Sequence, residues 1–138
     1  MERVILDTGI LYALLDKSDK WHQKAVASIQ KRQFNLIITD TVLPEICYLI
    51  NKYLGKEYEL AVLNSVLKKE IKVEMLLFSD FKRIVEILTK YKEMNIGFVD
   101  ASVVAIAERM KIKKLFTTDR RHFSKIKPVH CRHFELLP

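Results

Sequence analysis

A chain of 138 residues, 49% apolar and 30% charged, is long enough for one core and too rich in Ile, Leu and Val to be disordered. No apolar run approaches the roughly 18 to 20 residues of a membrane span, and the amino terminus enters a strand at once with no signal-peptide h-region. Cys47 and Cys131 form no C-x-x-C pair, so a reduced protein of the cytoplasm is expected. The formal charge of +7, from 24 Lys and Arg against 17 Asp and Glu, suits a polyanionic partner as well as it suits solubility.

Short apolar runs alternate with longer segments of helical period, the pattern of βαβ units and a parallel sheet buried on both faces. The first strand is Val4 to Leu6, followed by helices over 9–15 and 19–32. Leu36 to Thr39 reads as the second strand. Asp40 and Thr41 then stand as caps to a helix over 41–54 with Pro44 in its first turn, and another helix follows over 57–69. Val73 to Phe78 is expected as a strand, with Ser79 and Asp80 capping a helix over 80–94. Gly97 separates that helix from one over 99–111. Lys114 to Thr117 and His130 to Leu136 complete the set. The expected fold is a single α/β domain over 1–138, with a five-stranded, mostly parallel sheet and helices on both faces.

Four acids stand out against this frame. Asp7 and Asp119 each follow a strand, where ligands of open α/β sheets bind, although each taken alone also reads as a helix cap or turn residue. Glu45 is spaced three residues from Val42 and four from Leu49, which places it on the apolar stripe of its helix, where an unpaired carboxylate is strongly disfavoured. Asp100 lies in a first turn beside Val103, Val104 and Ala107, where the helix dipole also favours an acid. Ionised carboxylates brought together raise one another's pKa, so four at one rim call for a divalent cation and point to hydrolysis of a phosphate ester.

The ordered stretches Val4-Ile5-Leu6-Asp7-Thr8, Leu43-Pro44-Glu45-Ile46, Phe98-Val99-Asp100-Ala101 and Leu115-Phe116-Thr117-Thr118-Asp119, the last running on through Arg120-Arg121-His122-Phe123, resemble a PIN domain. Within that family they are similar to the VapC-like toxin ribonucleases, over nearly the whole chain. Where the family usually has Ser after the Asp-Thr pair, this chain has Gly9. The resemblance implies a metal-dependent endoribonuclease with Mg²⁺ or Mn²⁺ in the acidic pocket, RNA as substrate and a small antitoxin as partner; a homodimer is expected besides. It makes Asp7 and Asp100 the principal metal ligands, with Asp119 and Glu45 completing the shell and Thr117 and Thr8 orienting a ligand or water.

Beside Asp119, Arg120 and Arg121 are the expected phosphate contacts, with Lys111, Lys113 and Lys114 as further basic candidates. His22, His122, His130 and His133 show no helical metal spacing and receive no role. Tyr12, Trp21, Leu11, Leu14 and Leu15 read as core, or as a patch for a partner. Two other classes stay open: a nuclease of RNA processing or DNA cleavage using the same acids, and a non-catalytic basic nucleic-acid-binding module whose acids only cap helices. A nucleotide-binding reading is weak, because none of the three glycines belongs to a phosphate loop.

Overall fold

Val4, Ile5 and Leu6 are all fully buried, and three consecutive buried residues on a strand mean that both faces of the sheet are covered. In the computed structural model, which describes residues 1–138, they belong to β1 (Glu2–Leu6) at the centre of the sheet. The other strands are β2 (Phe34–Thr39), β3 (Ile71–Glu74), β4 (Lys114–Phe116) and β5 (Glu135–Leu137), in the order β3-β2-β1-β4-β5 and all parallel. Seven helices fill the crossovers: α1 (Thr8–Leu15), α2 (His22–Lys31), α3 (Val42–Tyr53), α4 (Lys56–Leu67), α5 (Asp80–Lys90), α6 (Phe98–Met110) and α7 (Arg120–Phe123).

The chain runs from β1 outward to β3 and then returns to the other side of β1 to form β4. The strand order therefore reverses between β1 and β4, and a crevice opens at the carboxyl ends of those two strands. The amide of Asp7 donates to the carbonyl of Phe116 at 3.0 Å, closing the sheet at this point. Tyr12, Trp21, Leu14 and Leu15 pack against the core and Leu11 belongs to it, as the first of the two expectations had it.

Two expected strands need correction. The strand expected over Val73 to Phe78 lies earlier, at Ile71–Glu74, because Leu36 to Thr39 pair with 71–74. Beyond it the apolar residues Met75, Leu77 and Phe78 face solvent, Phe78 at 92% exposure. The strand expected over His130 to Leu136 is confined to Glu135–Leu137. The segment before it is held by side chains instead: Glu108 accepts from the amide of Val129 at 3.0 Å, Tyr91 from that of Lys127 at 2.9 Å, and His130 bonds the carbonyl of Ile112 at 2.7 Å.

The expected caps also act differently. Neither Thr41 nor Ser79 bonds its own helix; Thr39 accepts from the amide of Val42, and Asp80 accepts from that of Leu77. Gly97 begins α6 rather than ending α5, which stops at Lys90.

Three ion pairs fix the far half of α6. Arg109 reaches Asp80 at 3.0 Å and Glu74 at 3.3 Å, tying α6 to α5 and β3. Arg83 of α5 grips Glu108 with two bonds of 2.7 and 3.0 Å. Glu108 is nearly inaccessible, so removing its cation leaves a buried charge, which typically costs several kcal/mol. Arg83→Met is expected to lower the unfolding free energy by ~3 kcal/mol in urea titrations, and to speed hydrogen exchange at the Val129 amide.

Candidate active site

Asp7 leaves β1 and turns directly into α1, and its carboxylate does two jobs there. Oδ1 accepts from the amide of Ile10 at 3.1 Å, capping the helix, while Oδ2 accepts from the hydroxyl of Thr117 at the end of β4. Thr117 is fully buried, and its Oγ1 also accepts from the amide of Asp119 at 2.8 Å. One hydroxyl thus orients two acids.

Asp119 in turn caps α7: its Oδ1 accepts from the amide of His122 at 3.1 Å, and its Oδ2 lies 2.8 Å from His122 Nδ1. Asp100 stands in the first turn of α6, the helix whose residues 101 to 107 are all buried. A chain of hydroxyls holds that turn to α3. Thr39 bonds Thr41 and Thr41 bonds Ser102, both at 2.7 Å, and Ser102 donates to the carbonyl of Val99 at 2.6 Å.

Asp7, Thr8, Gly9, Glu45, Asp100, Thr118 and Asp119 line one cleft of about 190 Å³. Four acids scattered over the chain are therefore brought together. The cap readings of Asp7 and Asp119 also hold: in these two residues, capping and facing the cleft are compatible.

Glu45 reaches the cleft by a different route from the one its spacing suggests. The buried face of α3 is Val42, Ile46 and Ile50, and Glu45 is exposed beside it. Adjacent helical residues point about 100° apart, so Glu45 flanks Ile46 at the rim and needs no buried partner.

Other expected residues are turned elsewhere. Arg120 donates to the carbonyls of Leu136 (3.2 Å) and Pro138, which ties α7 to the carboxyl terminus. Lys114 opens β4, at the opposite end from the cleft, and pairs with Glu135 and Glu2. Lys111, in the left-handed conformation, closes α6 near that same end. Arg121 is exposed and lines a neighbouring groove with Asn95, His122 and Lys125.

His122 is the residue that sequence reasoning passed over. The signal it carries is local: it stands three residues after Asp119, one helical turn along.

Gly9 has its explanation in Thr118. A Cβ at position 9 would come within 2.6 Å of the Thr118 hydroxyl, closer than side chains approach in real structures. The hydroxyl of Thr118 fills the space that a serine at 9 would need.

The electrostatics are those of a site that wants a cation. Burial, and then the charges of Asp100 and Asp119, push the Asp7 carboxyl up to about 6, against the lowering effect of Thr117 and Ile10. Asp100 is likewise raised, first by burial and then by Asp119 and Glu45. The Thr8 hydroxyl is buried without a hydrogen-bond partner, one of only two such side-chain atoms in the protein. Hard carboxylate oxygens with a spare hydroxyl beside them match the donor preference of a divalent cation.

A match to the family described as PIN domain covers residues 4–128. The chain is 30% identical over 135 residues to ribonuclease VapC26 of Mycobacterium tuberculosis (strain ATCC 25618 / H37Rv), covering 98% of this chain and all of that one. Among solved structures, VapC20 of M. tuberculosis, a sarcin-ricin loop cleaving toxin, superposes with a TM-score of 0.82 at 23% identity, over 94% of this chain and 98% of that one. VapBC2 of Rickettsia felis, bound to a DNA fragment from its promoter, gives a TM-score of 0.71 at 20% identity and 99% coverage of both chains.

Asp7 holds its proton to about pH 6 when folded, whereas an ordinary Asp releases it near 3.8. Between those values the folded state binds more protons than the unfolded one, so stability falls as pH rises through the window. The loss is at most ~3 kcal/mol. In chelated buffer, Asp7→Asn is expected to be more stable than wild type at pH 7.5 and no more stable at pH 3.5. Denaturant titrations at the two pH values test this, and an unchanged gap would contradict it.

Proposed function

The chain belongs to the PIN domain family, and from that premise we propose that it is a divalent-metal-dependent endoribonuclease, the toxin of a toxin–antitoxin pair. The observation that carries this reading is the convergence of Asp7, Glu45, Asp100 and Asp119 on one cleft at the switch point of the sheet. The near full-length similarity to a named ribonuclease supports it.

Asp7 and Asp100, the two acids whose carboxyls burial and then their acidic neighbours raise, are the principal ligands in this reading, and Mg²⁺ or Mn²⁺ stabilises their ionised forms. Asp119 and Glu45 complete the shell, directly or through water. The bound cation would supply an activated water and neutralise charge building on the phosphate. Thr117 fixes the direction of Asp7 through its hydroxyl, and Thr8 offers its unpartnered hydroxyl to a water or a phosphate oxygen.

Arg121 and Lys125, in the groove that His122 lines beside Asp119, attract the RNA backbone to one side of the scissile bond. Arg120 has its guanidinium engaged at the carboxyl terminus and acts as a structural tie. The surface offers two apolar regions for partners. Tyr48, Tyr53, Leu60 and Leu67 on α3 and α4 suit an antitoxin helix, and Phe78, Phe81 and Phe98 suit a second copy of the chain.

No helix is long and apolar enough to cross a membrane. Cytoplasmic RNA is the substrate pool that this reading implies.

The test is cleavage of a labelled RNA pool in Mg²⁺, Mn²⁺ or EDTA. Wild type is expected to cut only with metal, and Asp7→Asn and Asp100→Asn each to lose activity by 100-fold or more, a magnitude ordinary for electrostatic groups at a reacting centre. Cleavage that survives both substitutions and EDTA would overturn the reading. Arg121→Ala is expected to raise KM several-fold with kcat nearly unchanged, and to flatten the salt dependence of KM.

A further inference from the structure

His122 engages both oxygens of Asp119, through its amide at one and its ring at the other. A ring nitrogen of His122 and a carboxylate oxygen of each of Asp100 and Asp119 lie within 4.8 Å of one another, and all three residues are half-buried. Ligand atoms around a cation with bonds near 2.1 Å stand roughly 3 to 4.2 Å apart, so a small inward shift of these side chains makes a shell. The buried, unpartnered hydroxyl of Thr8 lines the cleft that Asp100 and Asp119 share, and is a separate sign that something beyond the protein completes that cleft.

With Nδ1–H donated to Asp119, the lone pair of the ring lies on Nε2. We propose that His122 contributes an imidazole nitrogen to the cation site of Asp7, Asp100 and Asp119, and that this nitrogen makes the site select Mn²⁺ over Mg²⁺. The proposal rests on the nuclease reading only in requiring a divalent cation among the acids. Mg²⁺ keeps to hard oxygen ligands and gives up its water reluctantly, whereas first-row transition ions accept imidazole. An imidazole beside carboxylates therefore discriminates where carboxylates alone would not. It also gives the Asp119–His122 turn a chemical purpose beyond capping a helix of one turn.

The test is pulsed EPR of Mn²⁺ bound to the full chain, with calorimetric titration of Mn²⁺ and Mg²⁺ into wild type, His122→Asn and His122→Gln. Wild type is expected to show ¹⁴N coupling to Mn²⁺ that both variants lose. Mn²⁺ affinity should fall about tenfold in both, the lower end of what outer-shell losses alone cost, with Mg²⁺ affinity changed less than twofold. Asn keeps an N–H donor near the place of Nδ1, so it separates ligation from mere orientation of Asp119. If wild-type Mn²⁺ shows no ¹⁴N coupling, or His122→Asn keeps full Mn²⁺ affinity, His122 only positions Asp119 and the proposal is overturned. The wild-type spectrum decides this even where a variant fails to fold. A wild type that binds neither ion, with Asp100→Asn changing nothing, would instead remove the nuclease reading beneath it.

Discussion

The hydroxyl of Thr117 donates to the carboxylate of Asp7, and the geometry of the cleft depends on that bond. It joins the ends of β1 and β4, the strands that flank the reversal in sheet order, across 110 positions of sequence. The same oxygen accepts from the amide of Asp119. A valine at 117 would fit a strand equally well, but would orient neither acid. The bond also lowers the proton affinity of a carboxyl that burial and two neighbouring acids raise.

Gathering acids is unfavourable for the folded chain until a cation arrives, and the rest of the structure resists the resulting strain. Twenty-eight buried apolar residues form one cluster beneath the cleft. Asp100 rides on a helix that is buried along almost its whole length, joined to α3 by Thr41 and Ser102 and clamped at its far end by Arg83 and Arg109. Repulsion at the rim therefore cannot relax by sliding α6 outward. Functional sites commonly retain such local instability while the scaffold supplies the offsetting stability.

Where reading the chain went astray, the causes are physical and specific. An apolar run predicts burial, yet Met75, Leu77 and Phe78 are surface and only Leu76 among them packs against the core. The carboxyl-terminal run predicts a long strand, but only Glu135–Leu137 joins the ladder, and the chain leading into it is held by the side chains of Glu108 and Tyr91 at the amides of Val129 and Lys127. Helical spacing puts Glu45 on the inward stripe of α3, because a stripe drawn from Val42 to Leu49 is rotated from the face that is buried, Val42, Ile46 and Ile50, and Leu49 is only half-buried. Nearness to Asp119 in sequence does not decide which positive charges face the cleft: Arg120 faces the carboxyl terminus, and Lys111 and Lys114 stand at the other end of β4.

The sequence by itself determined the alternation of strands and helices, the parallel sheet and the four acids at strand ends or first turns. These features follow from local rules: burial on both faces demands continuous apolar runs, and strand-to-helix turns favour capping acids. Only the tertiary structure decided that Thr117 serves both Asp7 and Asp119, that Thr118 fills the space above Gly9, that Glu45 stands at the rim, and that His122 joins the acids. Each of these depends on which residues distant in sequence meet across the strand-order reversal, and no local pattern encodes a distance between side chains on different strands.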